Sequence, residues 1–249
     1  MKVNPRLSSL LSRIEHRAAL WQGKGYGSET LKQEVSLAAS LLKAKPRLAL
    51  DVGANIGEYT IALQGRFPGL EIHMFEPASV NFDTLTNRFS SDPSVTINRV
   101  AVSDTAGPAM LFSNQPGSVL GSLTKRNLDH YGVPFECSEE VDMIRLEDYW
   151  KSNLGGREID ILKLDVEGHE LNALKGLGAA LHSTRLVQFE FGGCNIDTRT
   201  FFKDFYSFFA DNGFRLFRIT PFGSEAIERY RETDESFQTT NYIAQSMSR

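Results

Sequence analysis

The sequence predicts an α/β fold in which a doubly wound sheet of about seven strands carries helices on both faces. Three observations lead there. Short apolar segments of strand length alternate with segments of helical period, which implies right-handed parallel crossovers. The first such strand, residues 48–52, stops at a glycine-rich turn that leads into a helix. Residues 159–164 are apolar enough for a strand buried on both faces, as central parallel strands are.

Taken in order, residues 1–21 scatter Arg6, Arg13, Glu15 and Arg17 among short apolar runs and read as an amphipathic helix. Gly23-Lys-Gly-Tyr-Gly27 lacks the GxxxxGK[ST] pattern of a P-loop and reads as a linker. Ser28 is placed to cap a helix over residues 29–43, with Pro46 marking its end. A strand over 48–52 then leads to a helix over 56–66, closed by Pro68-Gly69. Residues 71–75, 78–89 and 95–102 repeat strand, helix and strand, the last rich in β-branched residues. Between 104 and 150 the alternation breaks. Strand-like 110–113 and 141–146 flank the Gly/Ser-rich stretch 116–122, which predicts a β insertion acting as a flap. The pattern resumes with strand 159–164, helix 169–181, strand 185–191, helix 200–210 and strands 214–219 and 241–244. We read a helical extension over 1–46 and one domain over 47–249, with the insertion at about 105–150.

Composition narrows the function classes. Hydrophobic residues at 41% and charged residues at 23% exclude a disordered or collagen-like chain. Twenty-seven basic against 31 acidic residues give a net charge of −4, so nothing advertises nucleic acid or an anionic membrane as a standing partner, although a local basic patch fits within such a total. Cys137 and Cys194 lie far apart without metal-ligand spacing, which suits a reducing compartment. No window reaches about 18 consecutive apolar residues, and the N-terminal segment lacks the apolar run of a signal peptide. The expectation is a cytoplasmic protein with no integral membrane segment and no nucleic-acid partner; a homo-oligomer stays open.

The sharpest local feature is Asp51-Val-Gly-Ala-Asn-Ile-Gly57, where Gly53 and Gly57 let a ligand approach and let helix pack on strand. A dinucleotide fingerprint GxGxxG is missing. Asp51 ends the strand beside the turn, where its charge repels a diphosphate and attracts an ammonium group. Glu76, in Met74-Phe-Glu-Pro77, ends the second strand, where a carboxylate can accept hydrogen bonds from both hydroxyls of an unphosphorylated ribose. Alone, either acid reads equally as a turn cap or a solvated strand end. Together they describe S-adenosylmethionine better than a phosphorylated nucleotide.

The segments 51–60 (DVGANIGEYT), 75–77 (FEP), 101–104 (AVSD) and 159–170 (IDILKLDVEGHE), in this order, resemble the FkbM family of S-adenosylmethionine-dependent methyltransferases over about residues 48 to 191. The resemblance implies a Rossmann-like class I methyltransferase fold, a mostly parallel seven-stranded sheet whose last strand is antiparallel, with the cofactor at the carboxyl ends of the strands. It implies O-methylation of sugars, glycan precursors or polyketide-type natural products. Carried over residue by residue, it assigns cofactor binding to Asp51, Gly53, Ala54, Asn55, Gly57 and Tyr59 in the first motif, to Glu76 and Pro77 in the second, and to Ala101, Val102 and Asp104 beside the adenine. Asp104 alternatively makes a plain Asp turn before Gly107-Pro108.

Methyl transfer to a neutral hydroxyl needs alignment and a base, or a metal that acidifies the hydroxyl. Candidates gather in 163–170. Lys163 and Asp165 share one side of the strand, and Asp165 is the first choice of base. Glu167 and Glu170 match the family's acids or stabilise the following helix as first-turn carboxylates. His169 has the right ordinary pKa for a base but reads as readily as a lone surface histidine. Asp165, Glu167 and Glu190 together offer an oxygen-rich site for a magnesium-type cation; no zinc or iron ligand set is present, and the metal question stays open. Glu190, Asn195, Asp197 and Arg199, after the fifth strand, and Ser122, on the flap, are candidate contacts to a hydroxyl-rich acceptor. Asp197 alternatively caps a helix. Lys125-Arg126 are exposed cations or contacts to a phosphorylated acceptor. The phenylalanines of 201–209 read as mostly core, with a spare face for a dimer or an acceptor. Two rival functions remain at this level: a binder that keeps the cofactor turn without catalysis, and a dinucleotide-dependent reductase, which the missing GxGxxG opposes.

Overall fold

The computed structural model describes residues 4–27 and 30–248. The Ser28 cap lies outside them. Helix α1 (Pro5–Trp21) starts as its sequence allows, with Asn4 accepting a hydrogen bond from the Arg6 N–H and Pro5 in the first turn. Helix α2 (Leu31–Leu41) buries Val35 and Ala38. The core is an eight-stranded sheet in the order β10-β9-β11-β8-β7-β1-β2-β3, with β1 (Leu48–Val52), β2 (Glu71–Phe75), β3 (Val95–Asn98), β7 (Ile159–Leu164), β8 (Thr184–Phe191), β9 (Phe214–Thr220), β10 (Gly223–Ile227) and β11 (Thr240–Ser246). Strands β3, β2, β1, β7 and β8 are parallel, and β11 enters antiparallel between β8 and β9. All five residues of β1 are buried, as expected for a strand covered on both faces.

The third strand departs from the sequence reading. It is two strands: β3 pairs with β2, while β4 (Ala101–Val102) turns away to join β6 (Cys137–Ile144) and β5 (Gly107–Ser113) in a separate three-stranded sheet. A continuous β-branched run carries no mark of that change of partner. Leu146, read as the end of a strand, begins α5 (Leu146–Ser152). The helix expected over 169–181 is cut into α6 (Glu170–Lys175) and a 3₁₀ turn over Gly178–Ser183. Gly176 sits so close to the Ser103 carbonyl that a Cβ would lie 2.0 Å from it, and Gly178 has φ +47°. Hairpin strand β10 and the short α7 (Cys194–Thr198) were not legible. In α8 (Phe202–Asp211) the rings of Phe202, Phe205 and Phe209 are fully buried, while Phe201 before it is exposed.

Strand order reverses between β1 and β7, the switch point at which open α/β sheets bind ligands. The ladders run on past the strand ends. Gly53 and Ala54 N–H donate to the Phe75 carbonyl at 2.9 and 3.1 Å, and Asp165 N–H donates to the Val52 carbonyl at 3.0 Å. Gly53, at φ +77°, is where the two loops touch: a Cβ there would lie 1.8 Å from the Asp165 carbonyl oxygen. Helix α3 (Glu58–Arg66) follows, its entry at Gly57 packed on the Phe89 ring of α4 (Ser79–Phe89). Both glycines are thus required by protein contacts; Gly53 also lines the cavities described below, whereas Gly57 does not.

Gly53→Ala is expected to lose roughly 3 kcal/mol or more in urea unfolding, since left-handed strain and overpacking add. Gly69→Ala, at φ +81° in open space, is the control and should lose only about 1–2 kcal/mol. Equal losses would refute the close-contact explanation.

Candidate active site

Two adjoining cavities open at the carboxyl edge of the sheet. The first, about 420 Å³, within the range of small-molecule sites, is lined by Gly53, Asn55, Glu76, Pro77, Ala101, Val102, Asp165, Glu167 and Glu190, and by apolar Val100, Leu111 and Leu123. The second, about 320 Å³, is lined by Gly53, Ala54, Asn55, Tyr59, Lys163, Asp165 and Glu190, with Thr30, Glu34 and Asn241. Of the residues singled out in the sequence, twelve therefore meet at one place: Gly53, Ala54, Asn55, Tyr59, Glu76, Pro77, Ala101, Val102, Lys163, Asp165, Glu167 and Glu190.

Glu76 is held rigidly. Its two oxygens accept from the Asn55 N–H at 2.8 Å and the Ala78 N–H at 3.0 Å. It is only 6% exposed, and burial pushes its pKa up to about 7 against these hydrogen bonds. Asn55 adopts φ +49° to present that N–H. Asp51 lines neither cavity. It is fully buried; one oxygen accepts the Thr60 hydroxyl at 2.7 Å, and the other has no partner. Burial raises its pKa, with the Lys163 charge opposing.

At the other end stand the acids of the β7 loop. Lys163 bridges to Asp165 at 2.9 Å and lies over the Tyr59 ring at 5.0 Å from its centroid. Burial would lower the Lys163 pKa, yet the carboxylates of Asp165 and Asp51 outweigh it and hold it above the ordinary value. Glu167, at φ +51°, binds Arg126 at 2.6 Å. Burial and the Asp165 charge push its pKa up to about 7 despite that arginine. Glu190 is driven well above the usual carboxylate range by burial and by Asp165 and Glu167. Ligand oxygens of Asp165, Glu167 and Glu190 lie within 4.8 Å of one another, so they could hold a divalent cation. Lys163 and Arg126 already pair with Asp165 and Glu167.

Other expectations are corrected. His169 lines neither cavity; its Nε2 meets the Ser103 hydroxyl at 2.9 Å, and burial lowers its pKa. Asp104 stands beside that pair, accepting from Ser103, so the backbone turn at 103 carries it off the cavity that Ala101 and Val102 line. Gly57 faces Phe89. Ser122 is sealed inside, donating to the Glu167 carbonyl at 2.8 Å. Asn195 is fully buried and braces its own loop through the Gly192 N–H. Asp197 pairs with Arg126 at 3.3 Å, and Arg199 caps α7 from outside at φ +55°. Arg126 is thus an internal clamp, and no contact to a phosphate is needed to explain it. Glu170 accepts from the Val166 and Gly168 N–H at 2.9 and 3.2 Å, as a first-turn brace does.

Sequence reasoning missed Glu34, Gln188 and Asn241. Glu34 accepts from the Thr30 hydroxyl at 2.6 Å, from Asn241 at 3.0 Å and from Gln188, whose Oε1 receives the Tyr59 hydroxyl at 2.8 Å. A signal existed: Glu34 occupies the same helical stripe as Leu31, Val35 and Ala38. Arg126, read from the sequence as an exposed cation or a phosphate contact, left no sign of its ion pairs, because its partners lie 41 and 71 residues away.

This combination, a mostly parallel sheet with an antiparallel strand inserted near one edge and an acid-lined crevice at the switch point, is the Rossmann-like class I methyltransferase fold. Residues 51–216 match the methyltransferase FkbM domain, and the chain belongs to that family. It is 33% identical over 153 residues to the methyltransferase sdnD of Sordaria araneosa, covering 51% of this chain and 59% of that protein. It is 28% identical over 138 residues to the hexuronic acid methyltransferase AglP of Haloferax volcanii, covering 55% and 52%. The chain thus spans little more than half the length of these relatives. The crystal structure of methyltransferase FkbM from Methylobacillus flagellatus superposes with a TM-score of 0.53 at 18% identity, over 85% of this chain and 47% of that one.

The buried acids make a pH prediction. Glu76, Glu167 and Glu170, the last pushed by burial up to about 8, keep protons that the unfolded chain releases near about pH 4.3. Between roughly pH 5 and 8 the native state therefore binds more protons, and stability falls as pH rises. The thermal midpoint of the ligand-free protein should be lower at about pH 8.5 than at about pH 5.5. Glu170→Gln, which keeps an acceptor for Val166 and Gly168, should flatten the slope; an unaltered slope would clear Glu170 of any part in it.

Proposed function

We propose that this chain is an S-adenosylmethionine-dependent methyltransferase acting on a hydroxyl of a sugar, glycan precursor or related small molecule. The observation that carries the reading is Glu76: a nearly sealed carboxylate, fixed by two backbone N–H groups, facing a cavity whose far end holds a second set of acids.

The residues present fit the cofactor. Glu76 has lone pairs left for a ribose diol, and Val100, Ala101, Val102 and Leu111 make an apolar slot of the kind an adenine needs. Such a carboxylate repels a diphosphate, which opposes a dinucleotide. Bound there, the cofactor supplies a methyl group on a positively charged sulfur.

The chain's own residues do the rest. Asp165 borders both cavities, and its carboxylate accepts the proton of the acceptor hydroxyl, turning a poor nucleophile into a competent one. Lys163 orients Asp165 through their ion pair, and Arg126 fixes Glu167 next to it. The insertion and α2 wall the cavities, limiting the water that would compete with the acceptor. The second cavity carries the polar groups of Thr30, Tyr59, Lys163 and Asn241 in its lining, which suits a hydroxylated acceptor, and a relative named for hexuronic acid methylation supports a sugar.

Glu76→Ala should weaken S-adenosylhomocysteine binding in calorimetry by about 10- to 100-fold. Asp165→Asn should retain that binding and lose turnover in an assay that follows labelled methyl from S-adenosylmethionine into sugars, with a product heavier by one methyl. The reverse pattern would refute these roles, and absence of heat with the wild-type protein would end the reading.

A further inference from the structure

Helix α1 takes no part in the core. None of its residues is buried, and Leu7, Leu10, Leu11, Ile14 and Trp21 are between 51% and 62% exposed. At about 3.6 residues per turn these five fall on one face, a continuous apolar stripe ending in a tryptophan. Arg6, Arg13 and Arg17 lie within about 40° of one another along one edge of that stripe, and Glu15 lies alone on the opposite edge. A helix that packed on its own domain would bury such a face. This one leaves it outside.

The charge arrangement selects the occupant. In an antiparallel pair of two α1 helices like edges meet, setting three arginines against three. In a parallel pair the arginine row meets an edge that offers one glutamate. Neither pairing compensates the row. An anionic bilayer does: arginines beside the stripe reach phosphate and carboxylate head groups while leucines and a tryptophan enter the boundary region. The local positive charge sits in a chain of net charge −4, so it belongs to this helix and is no reflection of the whole.

The place of α1 agrees. The turn that follows it sits on β9, where a Cβ at Gly23 would lie 2.3 Å from the Ile219 carbonyl oxygen. Ile219 is the last residue but one of β9, which runs parallel to β8, so α1 springs from the carboxyl edge at which the cavities open. Phe222, at the tip of the β9–β10 turn, is 78% exposed near the same edge.

We propose that α1 is an interfacial anchor whose Leu7–Trp21 stripe enters an anionic lipid surface while Arg6, Arg13 and Arg17 meet its head groups. The anchoring is independent of the methyl-transfer reading. The test is flotation of the full chain with vesicles of phosphatidylcholine alone and of phosphatidylcholine with an equal share of phosphatidylserine. The expected result is binding to the mixed vesicles only, released by salt, with a blue shift of emission that Trp21→Phe removes. Each arginine changed to glutamine should weaken partition about fivefold. The double variant Leu10→Glu/Ile14→Glu should abolish it with the thermal midpoint unchanged, because both side chains are more than half exposed. Failure to float with the mixed vesicles, or flotation unaffected by the double variant, overturns the proposal. A dimer in sedimentation equilibrium that the double variant dissociates, without vesicle binding, reassigns the stripe to a second copy of the chain.

Discussion

The contact between the loops that follow β1 and β7 is the constraint on which the site rests. Gly53 presses against the Asp165 carbonyl with no room for a side chain, and the ladder hydrogen bonds from Gly53, Ala54 and Asp165 continue past the strand ends to lock it. Because the loops cannot separate, Asn55 is forced into a left-handed turn that aims its N–H at Glu76. Glu167 is forced into another that turns its carboxylate toward Arg126. Two non-glycine residues in that conformation carry strain that only a well-determined surrounding structure sustains.

On this frame the charges are set against one another. Asp51, Asp165, Glu167 and Glu190 crowd one edge of the sheet, while Lys163 and Arg126 are the cations placed among them. Burial raises the cost of every unpaired carboxylate, so the edge holds acids that take up protons near neutrality, where surface acids are fully ionised. Such groups destabilise the ligand-free protein and are useful where a hydroxyl or an ammonium is to be received. The same feature reads as a liability in stability and as an asset in binding.

The insertion and the N-terminal helices close the edge from two sides. Leu111 and Leu123 of the insertion cover the first cavity, and Ser122 and Arg126 reach behind it to hold the β7 loop. Thr30 and Glu34 of the α2 region wall the second cavity and tie it to β8 and β11 through Gln188 and Asn241. The parallel core is therefore a platform, and the parts that interrupt its alternation decide what reaches the acids.

By itself the sequence determined the local and repetitive features. Strand and helix periods placed β1, β2, β7, β8 and β9, since burial on two faces or one leaves its pattern in neighbouring residues. Acids next to strand ends announced Glu76 and Asp165 for the same reason. Tertiary structure alone decided which of the candidates meet. It turned His169, Asp104, Ser122 and Asn195 away from the cavities, bent the third strand into a second sheet, and brought Arg126 to Glu167 across 41 residues. A side chain's direction in a loop, and an ion pair between distant segments, depend on backbone turns and packing that leave no periodic trace in the chain.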